Sequence, residues 1–431
     1  MSKDNSKTIV TICGGGNGAH CSAGYIASKG YKVNVFTRRP DDWGKTIKVT
    51  TATSSWAHKG DIIGNLNVVS SNARDTIPNS DIIVVCSPAN SHSQILIQCA
   101  PYIKSGALVG TIFAQGGFDW IARDSLGDRL MAKIVIFGMQ NIPWICKTTT
   151  YGHESRILGP KQFLNCCTYP VEKVKSVADV LTDLYDIPCK TLPNFLTVTL
   201  TPSNQIIHPA RYYSIFQDYD GIKTYTKEEL EERKGFTLYE DFNPLSAEIL
   251  AKLDNEMQTI RMALVMRFPQ LNLSQLPPIK ERICEAYGKD VADSSSLLAV
   301  MRTNKGYAGC ATPLKVAANG NYTPNLDSRL FWEDIPYGLV IIKNLAELMG
   351  DMPVPTVCHM IRWHQQYMGK EYLTADGVLN PLMMMETGAP GRYGFHNIED
   401  IVKLCLPLNM IEYNRPVFSG WGHNIAAISK L

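Results

Sequence analysis

A charge surplus, a C-x-x-C pair, a long apolar run and a low-complexity stretch are all missing from these 431 residues. Each absence excludes something. The 42 Lys and Arg stand against 40 Asp and Glu, so there is no electrostatic case for nucleic acid or an acidic membrane surface. No apolar run approaches the ~20 residues that a membrane-spanning helix needs. The polar opening Met1-Ser2-Lys3-Asp4-Asn5-Ser6-Lys7 leads us to expect no signal peptide. Twelve cysteines are present but scattered. Without clustered Cys/His spacing they read as reduced, mostly buried thiols in a reducing compartment, not as a metal site. Fixed-period repeats are missing too, which removes solenoids and arrays. What remains is a chain long enough for two domains with cores of their own.

The strongest signal lies near the start. Residues 8–13 are apolar and β-branched, as a buried strand is, and are followed by Gly14, Gly15 and Gly16. From Asn17 the pattern turns helical, with Gly18, Ala19, Ser22 and Ala23 small, and residues 31–36 form a second apolar strand. Strand, glycine turn, helix, strand is one βαβ unit. In it Gly14 permits a tight turn, Gly16 leaves room for a pyrophosphate, and Ala19 takes the small position where helix and strand pack closely. The helix N-terminus then presents unpaired N–H groups to the phosphates.

The ribose reader of such a site sits about 20 residues on, at the end of the second strand. Here that end reads Phe36-Thr37-Arg38-Arg39-Pro40. An acid, the usual NAD signature, is lacking. Two arginines suit a 2′-phosphate, so the pair favours NADP, with NAD kept open. Asp41 and Asp42 come later, within reach only if the loop folds back.

Strand and helix go on alternating: strands are expected at 81–86, 107–114 and 133–138, with a helix at about 91–102. This predicts a doubly wound parallel sheet of the Rossmann type, with a ligand crevice beyond its C-terminal strand ends. Those ends include Ser87-Pro88 and Gln115. Near Leu192-Pro193-Asn194 the character changes to helical periodicity, with long candidates at 244–266, 276–286, 294–301, 337–349 and 356–367. Residues 223–241 are charged and read as a solvent-facing excursion. We therefore expect a dinucleotide-binding domain over 1–195 and a mostly α-helical domain over 196–431, with substrate between them.

Three stretches of the second half hold candidate chemistry. His208 follows two isoleucines and precedes Pro209, just after the junction. A histidine there is either a satisfied core residue or a proton carrier. Arg302-Thr303-Asn304-Lys305 is a polar turn after a helix. Arg329 and Asp334 bracket the aromatics Phe331 and Trp332 ahead of another helix, which Asp334 could simply cap.

These stretches, taken together, resemble the opine dehydrogenases, the octopine and tauropine dehydrogenase group. The shared motifs are Cys13-Gly14-Gly15-Gly16-Asn17-Gly18-Ala19-His20, Gln115-Gly116-Gly117-Phe118, Pro143-Trp144-Ile145-Cys146, His208-Pro209-Ala210, Thr303-Asn304-Lys305, Glu333-Asp334-Ile335-Pro336, Gly369-Lys370-Glu371-Tyr372-Leu373 and Arg392-Tyr393-Gly394-Phe395. The resemblance implies a Rossmann domain followed by a helical one. It also implies a reaction in which a 2-oxo acid, usually pyruvate, condenses with the amino group of an amino acid and the imine is reduced by NAD(P)H. On that resemblance His208 is the acid–base, Asp334 its partner, and Arg329 the grip on the oxo acid's carboxylate. Gln115 and Cys146 line the amino-acid side. Most animal members use NADH, against the reading of Arg38 and Arg39. Ala286 stands where the arginine-using enzyme carries a bulky aromatic.

Two other readings stay open. One is a two-domain dehydrogenase of a hydroxy acid or sugar phosphate, with Lys305 as proton donor. The other is a non-catalytic NAD(P)H-sensing protein. The last residues, Ser429-Lys430-Leu431, match a peroxisomal address in a eukaryotic cell and would engage its import receptor; the cytosol is the alternative.

Overall fold

Short β-branched runs build the first half. In a computed structural model, which describes residues 4–51 and 60–412, eleven strands form one sheet. They are β1 (Ile9–Cys13), β2 (Lys32–Phe36), β3 (Thr46–Thr51), β4 (Asp61–Ser70), β5 (Ile82–Val85), β6 (Leu108–Thr111), β7 (Val135–Met139), β8 (Trp144–Thr150), β9 (Glu154–Pro160), β10 (Leu164–Tyr169) and β11 (Cys189–Thr191). Their order is β11-β10-β7-β6-β5-β1-β2-β4-β3-β9-β8. The centre is parallel: Cys13 pairs with Phe36 on one side and Val85 on the other. In β5, Ile82 and Val84 enter the core on one face, Ile83 and Val85 the core on the other. A strand covered on both faces by helices must be apolar at every position, which is why these runs do not alternate.

The doubly wound core is as expected, but the sheet runs further. β3 with β4, β7 with β10 and β8 with β9 pair antiparallel. Of these, β3, β8 and β9 are half-exposed and polar: β8 reads Trp-Ile-Cys-Lys-Thr-Thr-Thr. They lack the continuous apolar signature that marks the centre.

Helices dominate after Thr191. Among them are Asn204–Phe216, Pro244–Arg267, Ile279–Tyr287, Leu297–Thr303, Val340–Leu348 and Pro355–Gln365. One apolar cluster runs from the sheet through Phe118 and Phe195 to Phe216, Leu253, Leu345 and Ile361, so the two halves pack as one body.

The expectation for 223–241 is corrected. Tyr225, Leu230, Leu238 and Tyr239 are buried. The charges concentrate in the Lys227–Glu232 helix, where Thr226 and Glu229 form a reciprocal capping box. Arg211, fully buried on the Asn204–Phe216 helix, donates to the carbonyls of Lys234 and Thr237. It thereby pins the far end of this segment beneath that helix. An unpaired buried guanidinium would be costly, and these carbonyls are its partners.

All twelve cysteines are free. Burial pushes the Cys86 thiol up to about 12. Among the described residues no group of His, Cys, Asp or Glu could hold a metal, and no helix is long and apolar enough to cross a membrane. The Ser429-Lys430-Leu431 tail lies outside the described residues.

Candidate active site

The glycine turn has distinct work at each position. Gly14 has φ +143°, and a Cβ there would stand 2.4 Å from the Cys86 carbonyl oxygen, so a side chain is excluded. A Cβ on Gly15 would meet the Tyr151 hydroxyl at 2.6 Å and Thr37 at 3.0 Å. Gly16 is the opposite case, since an added Cβ meets nothing within 4 Å. Gly16 also begins the Asn17–Ser28 helix without a side-chain cap. The first-turn N–H groups therefore stay open toward a cleft of about 1270 Å³, whose wall includes Gly16, Asn17, Gly18 and Pro88. Ala19 is fully buried behind the turn. Open donors, a positive helix end and vacant space beside Gly16 fit the pyrophosphate of a dinucleotide.

At the end of β2, Thr37 is buried while Arg38 and Arg39 are exposed. The Arg39 guanidinium lies 3.7 Å above the centre of the Tyr151 ring. Asp42 does fold back, but its carboxylate turns to the Arg39 Nε at 3.4 Å.

His208 sits on the Asn204–Phe216 helix, one residue before Pro209. Its Nδ1 is 2.8 Å from Asp334 Oδ2, and its Nε2 is 2.8 Å from the Tyr239 hydroxyl. All three side chains are buried. A carboxylate only accepts, so Nδ1 carries the proton and Nε2 faces the phenol. Asp334 reaches this position through a wide turn. The Leu339 N–H bonds to the Asp334 carbonyl at 3.2 Å, opening a π-helical turn over Ile335–Leu339. Such turns re-aim side chains at functional sites. The Asp334 carboxylate caps no backbone N–H, so it is committed to the imidazole.

The adjacent acid points elsewhere. Glu333 Oε1 accepts from the Ala89 N–H at 3.2 Å, joining the two halves across the cleft. Burial raises its carboxyl above the usual range. Glu333 Oε2 stands 3.9 Å from the Arg329 Nε, and the Arg329 side chain is 56% exposed. Arg329 and Glu333 both line the cleft.

Cys146 and Ala286 are on the cleft wall. The neighbouring Cys21 thiol and burial push the Cys146 thiol far up, so it offers shape and no thiolate. Gln115 is buried and not among the residues of the wall. Its amide donates to the carbonyls of Thr201 at 2.9 Å and Gln140 at 3.1 Å, and its oxygen accepts from the Ser203 N–H at 3.0 Å. Those bonds engage its whole amide and tie the end of β6 to the domain junction. Lys305 is exposed and also off the wall.

Two wall residues escaped the sequence reading. Tyr239 lines the cleft directly in front of His208. It stacks on Tyr307 with ring centres 4.3 Å apart, and Tyr307 meets Tyr287 edge-on at 5.1 Å. Burial holds the Tyr239 phenol protonated, well above its usual range. At the other end of this tyrosine wall the Lys161 ammonium lies 3.6 Å from the Tyr287 ring centre. The apolar run Leu238, Tyr239, Phe242 at the end of a charged stretch was the available signal for the first. Nothing in the sequence around Lys161 marks it.

Comparisons with known proteins bear on the family. The profile of the family described as NAD/NADP octopine/nopaline dehydrogenase, alpha-helical domain, matches residues 191–368. Octopine dehydrogenase of Pecten maximus is 29% identical over 405 residues, covering 91% of this chain and 98% of that one. Tauropine dehydrogenase of Arabella iricolor is 29% identical over 408 residues, covering 91% and 100%. The structure of octopine dehydrogenase in complex with NADH and agmatine superposes with a TM-score of 0.80 at 27% identity, covering 92% of this chain and 98% of that chain.

Proposed function

The chain belongs to the opine dehydrogenase family, oxidoreductases that act on CH–NH donors with NAD or NADP, and we propose that it condenses pyruvate with the amino group of an amino acid and reduces the imine to a secondary amine. One observation carries this reading: the Asp334–His208–Tyr239 chain opens on the cleft that also holds the glycine turn and Arg329.

When bound along Gly14, Gly15, Gly16 and the open helix end, NAD(P)H supplies the reducing hydride. Arg329 grips the oxo acid's carboxylate, its planar fork offering two parallel N–H bonds. The amine enters as an ammonium: two of its three protons move onto the carbonyl oxygen, which leaves as water, and the third stays on nitrogen, so that a hydride added to the carbon would complete the secondary amine. His208 carries those protons, and Tyr239 is the group that touches the substrate. An amine proton first reaches His208 Nε2 through the phenol, making the imidazolium, and Nε2 then returns a proton to the phenol oxygen as the phenol's own proton goes to the substrate oxygen. Asp334 fixes the tautomer and stabilises that imidazolium. Glu333 holds the Arg329 segment against the nucleotide half.

NADP is the cofactor this reading favours. No acid closes the end of β2 on a ribose, and the Arg39–Asp42 pair is exposed, so it yields readily to a 2′-phosphate. The C-terminal tripeptide supports a peroxisomal address and an import receptor as partner, which a reporter fusion with and without Ser429-Lys430-Leu431 tests.

Purified protein supplied with pyruvate, a panel of amino acids and either NADH or NADPH tests the reaction. Cofactor oxidation that requires both pyruvate and an amine is expected. His208→Ala lowers it by at least ~100-fold. Turnover of a hydroxy acid with no amine, lost in Lys305→Ala and kept in His208→Ala, overturns the reading.

A further inference from the structure

Joining a 2-oxo acid to an amino acid gives a product with two acid groups, and Arg329 accounts for one. Four other cations line the cleft: Lys161, Lys175, Lys190 and Arg282. Arg282 is engaged, donating to the carbonyls of Thr201 and Pro202 and standing 3.8 Å from Asp254. Lys175 is exposed and pairs with Asp179 at 3.5 Å. Lys190 is exposed, its ammonium over the Phe163 ring.

Lys161 differs from all of these. It is only 9% exposed. Among the described residues its ammonium meets the hydroxyl and ring face of Tyr287 and no carboxylate. Its backbone N–H bonds to the Pro143 carbonyl at 3.0 Å, which sets it beside the start of β8 and the Cys146 wall. Gln162, next in the chain, donates to the Tyr287 carbonyl at 3.1 Å. The nucleotide half and the Ile279–Tyr287 helix are thus clasped around one ammonium. Burying a cation without a counter-charge is costly, and burial pulls Lys161 down to about 7. What this corner lacks is an anion.

We propose that Lys161 and Tyr287 form a subsite for the acid group, carboxylate or sulfonate, of the amine-bearing substrate. The proposal rests on the reaction read above. The Tyr287, Tyr307 and Tyr239 rings connect this corner to His208. They give the substrate an apolar floor, with its acid group at Lys161 and its nitrogen near Tyr239. A cation at this end also repels a guanidinium or ammonium tail, which selects against basic amino acids there.

Alanine and taurine share one acid-free counterpart, ethylamine. Calorimetric binding of the three to the cofactor-loaded enzyme, beside turnover with pyruvate, tests the subsite and separates carboxylate from sulfonate. The wild type is expected to bind at least one of the two acids more tightly than ethylamine by roughly 30-fold or more, as for a buried charge pair. Lys161→Gln should erase that preference and Lys161→Arg should keep most of it. Equal binding of all three by the wild type overturns the subsite without any variant. A Lys161→Gln enzyme that keeps the preference overturns it as well, and loss of kcat alone there marks a proton-carrying lysine instead. Preference for the acid in binding, with no amine-dependent turnover, supports the subsite and overturns the reading of the reaction.

Discussion

Replacing Asp334 with asparagine keeps the side chain's shape and removes its charge. The carboxylate lies 2.8 Å from His208 Nδ1, and both groups are buried. With charge centres ~4 Å apart and an effective dielectric of ~20, the pair is worth about 4 kcal/mol when the imidazole is protonated. That stabilisation exists only while His208 holds the extra proton, so its loss falls on the proton-transfer steps. At 1.36 kcal/mol per decade, kcat should drop by about 1000-fold. Arg329 and the glycine turn are untouched, so KM for the oxo acid and cofactor affinity should move only a few-fold. The assay is steady-state NAD(P)H oxidation with pyruvate and the preferred amine, with a thermal melt to show that the variant folds. His208→Ala combined with Asp334→Asn should be no slower than His208→Ala alone, because the two act as one unit. A folded Asp334→Asn enzyme within tenfold of wild-type kcat would refute the assignment of the carboxylate to the proton carrier.

Tyr239→Phe removes one oxygen from the relay and leaves the stacked ring, so kcat should fall by ~100-fold or more with KM nearly unchanged; wild-type turnover would show that His208 reaches the substrate unaided. Gly16→Ala should leave the unfolding free energy within about 0.5 kcal/mol, because an added Cβ there meets nothing within 4 Å. Cofactor binding should nevertheless weaken by about tenfold (~1.4 kcal/mol) or more, read by fluorescence titration. Burial raises the Asp119 carboxyl from 3.8 to about 7. The folded chain then keeps a proton that the unfolded chain gives up between those values, so stability is lost as pH rises through about 7. Asp119→Asn should accordingly melt above the wild type at pH 8 and converge with it near pH 4; a gap independent of pH would contradict the burial argument.

The central strands and the glycine turn were legible because a strand covered on both faces must be apolar throughout, as in Ile82–Val85. The outer strands were not, since half-exposed β8 and β9 take threonine, lysine and arginine. His208, Arg329 and Asp334 were nameable only through the motifs around them. Their spacing in sequence says nothing of the π-helical turn that brings Asp334 to the imidazole. Gln115 shows the converse: a motif position became a buried brace. Tyr239 was hidden because the eye follows the charges of Lys227–Glu232, whereas burial follows the apolar residues around them. Lys161 was invisible for a physical reason, since a lysine's burial depends on what packs over it, here Tyr287 from a helix over a hundred residues away.

On the proposed function this cleft reduces an imine, not a ketone. Mass analysis of the product, with cofactor oxidation followed in the presence of pyruvate alone, amine alone and both, tests it directly. Oxidation is expected only when both are present, with one secondary amine carrying the carbon of each. Reduction of pyruvate to the hydroxy acid at the same rate with or without amine would contradict it.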